Sequence, residues 1–314
     1  MRHTDSGHRG RLGRNRAPGS ADVARVGRVA EWDGQGLPPV AAERIRRAAA
    51  GGAWTSLLSA PAAAGLEVAG FDPVGEVMGS IVQRMGWAGY RGCGGYGWGG
   101  RPTTITSSDG DRFSGFAPYV RALHTGYDTA IGRLVAEATA IGADGVVGIR
   151  LGQSTEFGGA REFTALGTAV RARSTTRPGR VFTTVLAAQD VAKLLRAGWM
   201  PAQIVYGISV AIRHDDWATR AQASWNAGNV EVEGYTDLVG TTRADARRLL
   251  HDAVRRSGAD GAVVDDMTLS VWSVEPGENH RDHVAEATLF GTALARFHTG
   301  TAAPTRSLTY LPLR

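Results

Sequence analysis

An internal repeat constrains this chain more than any other feature. The run Ile141-Gly142-Ala143-Asp144-Gly145 leads into a β-branched stretch over 146–151, and the segment closes on Leu166-Gly167-Thr168-Ala169-Val170. Farther along, Ser257-Gly258-Ala259-Asp260-Gly261 leads into 262–271 and closes on Phe290-Gly291-Thr292-Ala293-Leu294. Upstream, the two segments align at a constant spacing of 128 residues. Trp54-Thr55 falls on Phe182-Thr183, Gly70-Phe71-Asp72-Pro73 on Gly198-Trp199-Met200-Pro201, and Gly79-Ser80-Ile81-Val82 on Gly207-Ile208-Ser209-Val210. Self-similarity at a fixed spacing marks one folding unit used twice, and it has to be read before any local pattern.

Within each copy the same order of elements is expected. A short helix (61–68; 188–196) stops at Gly70 or Gly198, where a left-handed cap costs least. A strand follows the proline, over 74–82 and 203–212. Val120, Leu123, Tyr127, Ile131, Leu134, Ala138 and Ile141 then recur every three or four residues, the spacing of an amphipathic helix. Its counterpart is read as starting at Thr242, an N-cap with Asp245 three residues on, and burying Ala246, Leu249, Leu250, Ala253 and Val254. Arg247, Arg248, His251, Arg255 and Arg256 lie on or beside its exposed side and read as a solvated face. In the strand after the first helix, Val147, Ile149 and Leu151 are expected on one face, with Gly148 leaving the other bare for close approach. The fold class is α+β, two tandem β-α-β-β modules, each one main helix on a small antiparallel sheet. Such a sheet has a thin core and open edges, so association with further copies is expected to cover them.

The boundaries follow. Residues 1–50 read as a basic disordered arm, 51–172 as the first module with a glycine-rich insert at 86–101, 173–181 as a linker, 182–300 as the second module and 301–314 as a tail. The net charge of +5 is no argument for a basic domain surface, because seven arginines against two aspartates in residues 1–30 account for all of it. Attachment to nucleic acid through that arm and the Gly/aromatic loop is the alternative functional reading. The loop contains Gly92, Gly94 and Gly97 at dinucleotide-fingerprint spacing, but no strand-to-helix setting, so composition explains the match. Trp87 and Trp98 are expected to pack on the module or on a neighbour. No run of about 18 apolar residues exists, which argues against a membrane span and for the cytoplasm.

Cys93 is the single cysteine, so one chain offers no multi-thiolate site. No Ser/His/Asp, Cys/His or phosphate-loop constellation occurs at a useful spacing, and the chain reads as a non-enzyme. Ligand-capable side chains are densest in the loop of the second copy, where His280, Asp282, His283 and Glu286 follow Asp265, Asp266, Glu275 and Glu278. Imidazoles with carboxylates suit a divalent transition metal, and His280 and His283 share a face only if the segment is helical. The first copy has Glu156 and Glu162 there, without histidine. His124 and Asp128 are read as a surface pair. Glu162 and Glu286, like Thr168 and Thr292, occupy equivalent places, which points to shared structural roles.

The Gly75-Glu76-Val77 strand start, the helix ending in Ile-Gly-Ala-Asp-Gly-Val-Val-Gly-Ile-Arg and the closing Gly-Thr-Ala-Val together resemble the YbjQ-like family, described as heavy-metal-binding. The resemblance covers about 70–182 and, more loosely, 198–297. It implies small YbjQ-like (dodecin-like) modules assembled in pentameric rings, hence a homo-oligomer that is a pentamer of two-module chains. It also implies a heavy metal or small ligand held at subunit interfaces, with no ligand motif that transfers residue by residue. The second copy departs from the pattern, with Val263-Val264-Asp265-Asp266 where the first has Val147-Gly148-Ile149-Arg150.

Overall fold

The computed structural model describes residues 32, 36–50, 55–86, 104–109, 116–277 and 280–297, without the side chains of 47–49, 155–157, 276–277 and 280. Residues 1–31, most of the glycine-rich insert with Trp87, Cys93 and Trp98, and the 301–314 tail lie outside the described residues.

The first half runs α1 (Pro39–Ala49), α2 (Ala60–Ala69), β1 (Phe71–Arg84), β2 (Ile105–Thr106), α3 (Ala117–Ala140), β3 (Gly145–Phe157) and β4 (Ala160–Ala172). The second runs β5 (Phe182–Thr183), α4 (Ala188–Arg196), β6 (Trp199–His214), α5 (Trp217–Gln222), α6 (Glu233–Ser257), β7 (Gly261–Gly277) and β8 (His280–Arg296). Two four-stranded sheets result, ordered β1-β4-β3-β5 and β2-β6-β8-β7, in a mixed α+β fold. Each half lends a two-residue strand to the sheet of the other.

Local chemistry sets the boundaries. Ser59 caps α2 by accepting from Ala62 N at 3.4 Å, and Gly70, at φ 75°, ends it. The strands run longer than the sequence pattern suggests because Pro73 and Pro201 are inside them. A proline has no N–H for the ladder, and each sits beside a register shift, Pro73/Gly75 in β1 and Pro201/Gln203 in β6.

Glycine positions the two long helices. A Cβ at Gly79 would collide with the carbonyl oxygen of Ala130 and come within 2.6 Å of Leu134 N. At Gly207 it would collide with that of Ala246 and come within 2.5 Å of Leu250 N. Thus α3 lies on the backbone of β1, and α6 on that of β6. Leu123, Leu134, Ala130 and Ala138 of α3 are fully buried. Each such leucine contributes about 2 kcal/mol. The other side of α3 is also covered: Tyr127 meets Phe163 of β4 at 5.0 Å and Phe290 of β8 at 5.1 Å. The layers are therefore first sheet, α3, second sheet, α6. Even-numbered residues of β6 (Ile204, Ile208, Val210, Ile212) join the α3 core, and odd-numbered Val205 joins Ala246 and Leu250 of α6.

The free edge of β1 is closed by α3 itself. Buried Glu137 accepts from Met78 N at 3.1 Å and Arg133 donates to Ser80 O, while Arg44 of α1 grips Glu137 at 2.8 Å. An edge so occupied cannot recruit a foreign strand.

Two expectations are corrected. Thr242 is no N-cap: α6 begins at Glu233, and buried Thr242 donates its hydroxyl to Leu238 O at 2.6 Å. The first turns are held by tertiary contacts rather than propensity, with Leu238 buried among Ala211 and Ala285 and Gly234 tight against Thr219 of α5. Nor does anything pack on the face that Gly148 leaves bare, since nothing lies within 4 Å of its missing Cβ; the neighbouring backbone meets it edge-on, where Gly148 N donates to Leu186 O at 2.9 Å. It takes φ 61° in a bulge between Val147 and Arg150, so Val147 packs with Phe182 while Ile149 faces the α3 core.

Gly79→Ala and Gly207→Ala should each lower stability by about 2 kcal/mol through overpacking. Gly75→Ala, where a Cβ meets open space, should stay within about 0.5 kcal/mol. Denaturant unfolding at one fixed protein concentration measures all three.

Candidate functional site

The residues that the sequence marks for metal all lie on β8, and the alternation of a strand separates them. His280 opens the strand, and its side chain lies outside the described residues. Asp282, fully buried, faces its cross-strand neighbour His214, with Nδ1 2.7 Å from Oδ1. His283 points to the opposite face, where Nδ1 lies 2.8 Å from Oδ1 of buried Asp215. Tyr235 of α6 donates to the other oxygen of Asp215 at 3.2 Å and sets its ring 4.4 Å from the His283 ring. Burial, then the Asp215 charge, pushes the Tyr235 hydroxyl up to about 12. An ionised carboxylate only accepts, so each pairing places a histidine proton on Nδ1, and in His283 Nε2 is the nitrogen turned away from Asp215.

Glu286 goes elsewhere again, into the joint between the two halves. It is 4% exposed and accepts from the hydroxyl of Tyr119, with Gln153 Nε2 and Arg161 Nη1 each at 3.5 Å. Arg161 also lies over the Tyr119 ring at 5.2 Å. Burial raises the pKa of the Tyr119 hydroxyl, and the charge of Glu286 raises it further. Asp282, His283 and Glu286 are thus not gathered. Among the described residues no three His, Cys, Asp or Glu side chains form a group able to hold a metal.

The joint is the better-built feature. Tyr127, Tyr206, Phe163 and Phe290 form one aromatic cluster across it, at centroid distances of 5.0 to 6.1 Å. Asp128 is exposed, as expected of a surface residue, and His124 is half-buried; both sit at the rim of the joint, where Tyr206 donates its hydroxyl to Asp128 and the His124 ring lies 5.5 Å from that of Tyr206. Burial lowers the pKa of His124. The equivalence of Thr168 and Thr292 has a matching cause. Leu57 N donates to Thr168 Oγ1 at 3.1 Å, and Val185 N donates to Thr292 Oγ1 at 3.3 Å, so each threonine anchors the strand that enters its own half.

Sequence patterning missed the buried carboxylates that tie elements together. Asp245 accepts from Ser209 and Ser108 at 2.7 Å each, which fastens the segment after β2 to α6. A carboxylate on the apolar side of a helix was the available signal.

The bulges of β3 and β7 open a cavity of about 390 Å³ beside the joint. Leu58, Val147, Ile149 and Phe290 line it together with Arg150, Asp265 and Asp266. Burial, then Asp266, raises the pKa of Asp265. Charges of both signs over apolar walls match a small-molecule pocket better than a metal cage.

Among known proteins, the family described as "Putative heavy-metal-binding" matches residues 105–173, the span of β2, α3, β3 and β4. The chain is 31% identical over 282 residues to a Mycobacterium tuberculosis protein named "Encapsulin nanocompartment protein Rv1762c", covering 84% of this chain and 93% of that one. No solved structure matches it significantly. Among the described residues no helix is long and apolar enough to cross a membrane. Residues 105–173 thus match the YbjQ-like family model, and over most of its length the chain belongs to the family of that mycobacterial protein.

Proposed function

We propose that this protein is a non-enzymatic, self-associating ring protein of two tandem YbjQ-like modules that serves an encapsulin-type nanocompartment. The observation that carries the reading is the shared register of the two sheets. Val82 pairs with Glu162 and Gly79 with Ala165 in the first, as Val210 pairs with Glu286 and Gly207 with Leu289 in the second. One module used twice leaves each sheet needing a second layer. The chain supplies that layer once, where α3 enters the second sheet, and leaves the corresponding surfaces at its two ends. Closure by five chains would place ten modules in the ring. The printed name of the mycobacterial relative supports work in a large assembly. A small ligand of such a ring would sit in the cavity that Arg150, Asp265 and Asp266 border.

The description of the matching family favours a second reading, in which the β7–β8 hairpin holds a divalent metal through His280 and His283, without Asp282 and Glu286, which face the side of β8 opposite His283. The Nε2 of His283, turned away from Asp215, is the chemical support for it.

Native mass spectrometry of the full chain, before and after a chelator, tests both. A closed ring at five times the mass of one chain, unchanged by chelator, is the expected result; a monomer at micromolar concentration overturns the assembly. For the second reading, calorimetry with zinc, nickel and copper on the wild type and on His280→Ala/His283→Ala should show heat that the variant loses. Identical titrations end that reading.

A further inference from the structure

The joint inside the chain is a template for a joint between chains. In it, α3 lies on the even-numbered face of β6 and β8, where Asp128, Ile131 and Val135 border one cleft with Ile204 and Tyr206. At the same time β5 adds in parallel to the outer edge of β3. Phe182 aligns with Gly145 and Thr183 with Val146, and Ile149 N donates to Thr184 O at 3.0 Å. One half gives a helix and a strand edge; the other gives a sheet face and an entering strand.

Among the described residues both matching halves are present with exposed side chains, one on α6 and one on the first sheet. The glycine contacts fix the correspondence: Ala130 and Leu134 of α3 stand where Ala246 and Leu250 of α6 stand, and Tyr119 where Tyr235 stands. Counting from there, Arg247 of α6 replaces Ile131, His251 replaces Val135 and Ala244 replaces Asp128; all three are exposed. On the sheet side, Glu76 stands in the place of Ile204, Met78 in that of Tyr206 and Val82 in that of Val210. Glu76 and Val82 are exposed, Val82 at 53%. The edge of β7 ends its sheet, whereas the equivalent edge of β3 carries β5. Residues 55–57, the counterpart of 183–185, are already anchored to their own sheet through Leu57 and Thr168.

The geometry points to a head-to-tail contact between copies of this chain. In it, α6 of one copy lies on the outward face of β1 and β4 of the next, with Arg247 opposite Glu76, and residues 55–57 of that next copy add to the β7 edge at 261–265. The inference rests on the reading of the chain as two copies of one module. Charge supports it independently. The helix side offers Arg247 and His251, with Arg243 in the place of Tyr127 keeping a buried Nε that has no partner among the described residues, and the sheet side offers Glu76 and Glu162. Opposite signs meet only when unlike ends meet, which selects a heterologous contact.

Native mass spectrometry of the full-length variants Glu76→Arg, Arg247→Glu and the double reversal tests the contact, with circular dichroism to establish folding. Each single reversal should raise the dissociation constant at least about tenfold and leave smaller species, and the double reversal should restore the wild-type mass. A single variant that fails to fold is replaced by Glu76→Gln or Arg247→Gln, which removes the attraction without adding repulsion and should weaken the ring in the same direction. A wild-type ring that both folded single variants preserve overturns this interface, as does a folded double variant that stays dissociated; either leaves the ring reading standing. A monomeric wild type removes both.

Discussion

Everything else in the molecule follows from a helix lying directly on a strand backbone. At Gly79 and at Gly207 there is no room for even a methyl group, so α3 and α6 each seat at one depth and one rotation on their strands. Once α3 is seated, Leu123 and Leu134 are committed to the first sheet, and the face bearing Tyr127, Ile131 and Val135 is turned away from it. That face is too apolar to remain in water. The second sheet covers it, and the even-numbered face of β6 is apolar in answer. One close contact thereby sets the module, and the module sets the joint.

The joint is also given a register. Apolar layers alone would tolerate sliding, whereas Glu286 reaches the hydroxyl of Tyr119, with Arg161 and Gln153 beside it, in one alignment. A buried carboxylate carries a desolvation cost that its partners offset only with good geometry, so its effect is specificity more than stability. The threonine anchors act alike at the other end, where Thr184 and Thr292 meet oxygen to oxygen at 2.9 Å beside the Val185 N–H.

Much of this was legible in the sequence because it is written in periodic or repeated residues. The spacing of the matched segments located the long strands of both sheets and the equivalence of Thr168 with Thr292; it aligned Gly79 with Gly207 without revealing the helix contacts made there. The 3.6-residue periodicity of Val120 to Ile141 located α3. What escaped is what tertiary packing decides. The first turns of α6 have Gly234, Gly240 and threonines, a poor helical signal, and Leu238 and Gly234 hold them through contacts distant in sequence. The metal reading turned on whether the segment is helical; β8 is a continuous strand, so Asp282 and His283 turn to opposite faces and find Asp–His partners of their own, which a sequence pattern does not reveal. That exposed Asp128 meets Tyr206 was not legible, because the two lie 78 residues apart.

The two halves of the chain differ where their surroundings differ. The face of β6 that receives α3 carries Ile204, Tyr206 and Ile208; the same face of β1 carries Glu76, Met78 and Ser80. A joint within one chain forms at high effective concentration and is never long exposed, so it can be apolar. Surfaces that wait for another molecule have to stay soluble, and charge keeps them so. Placing arginine and histidine on α6 and glutamate on the first sheet does more than solubilise. Two α6 faces repel each other, as do two β1 faces, so pairing of like ends is disfavoured and the symmetric dimer with it. In the proposed contact the unlike pairing remains, and such a pairing would repeat in one direction and end only where its rotation closes a ring.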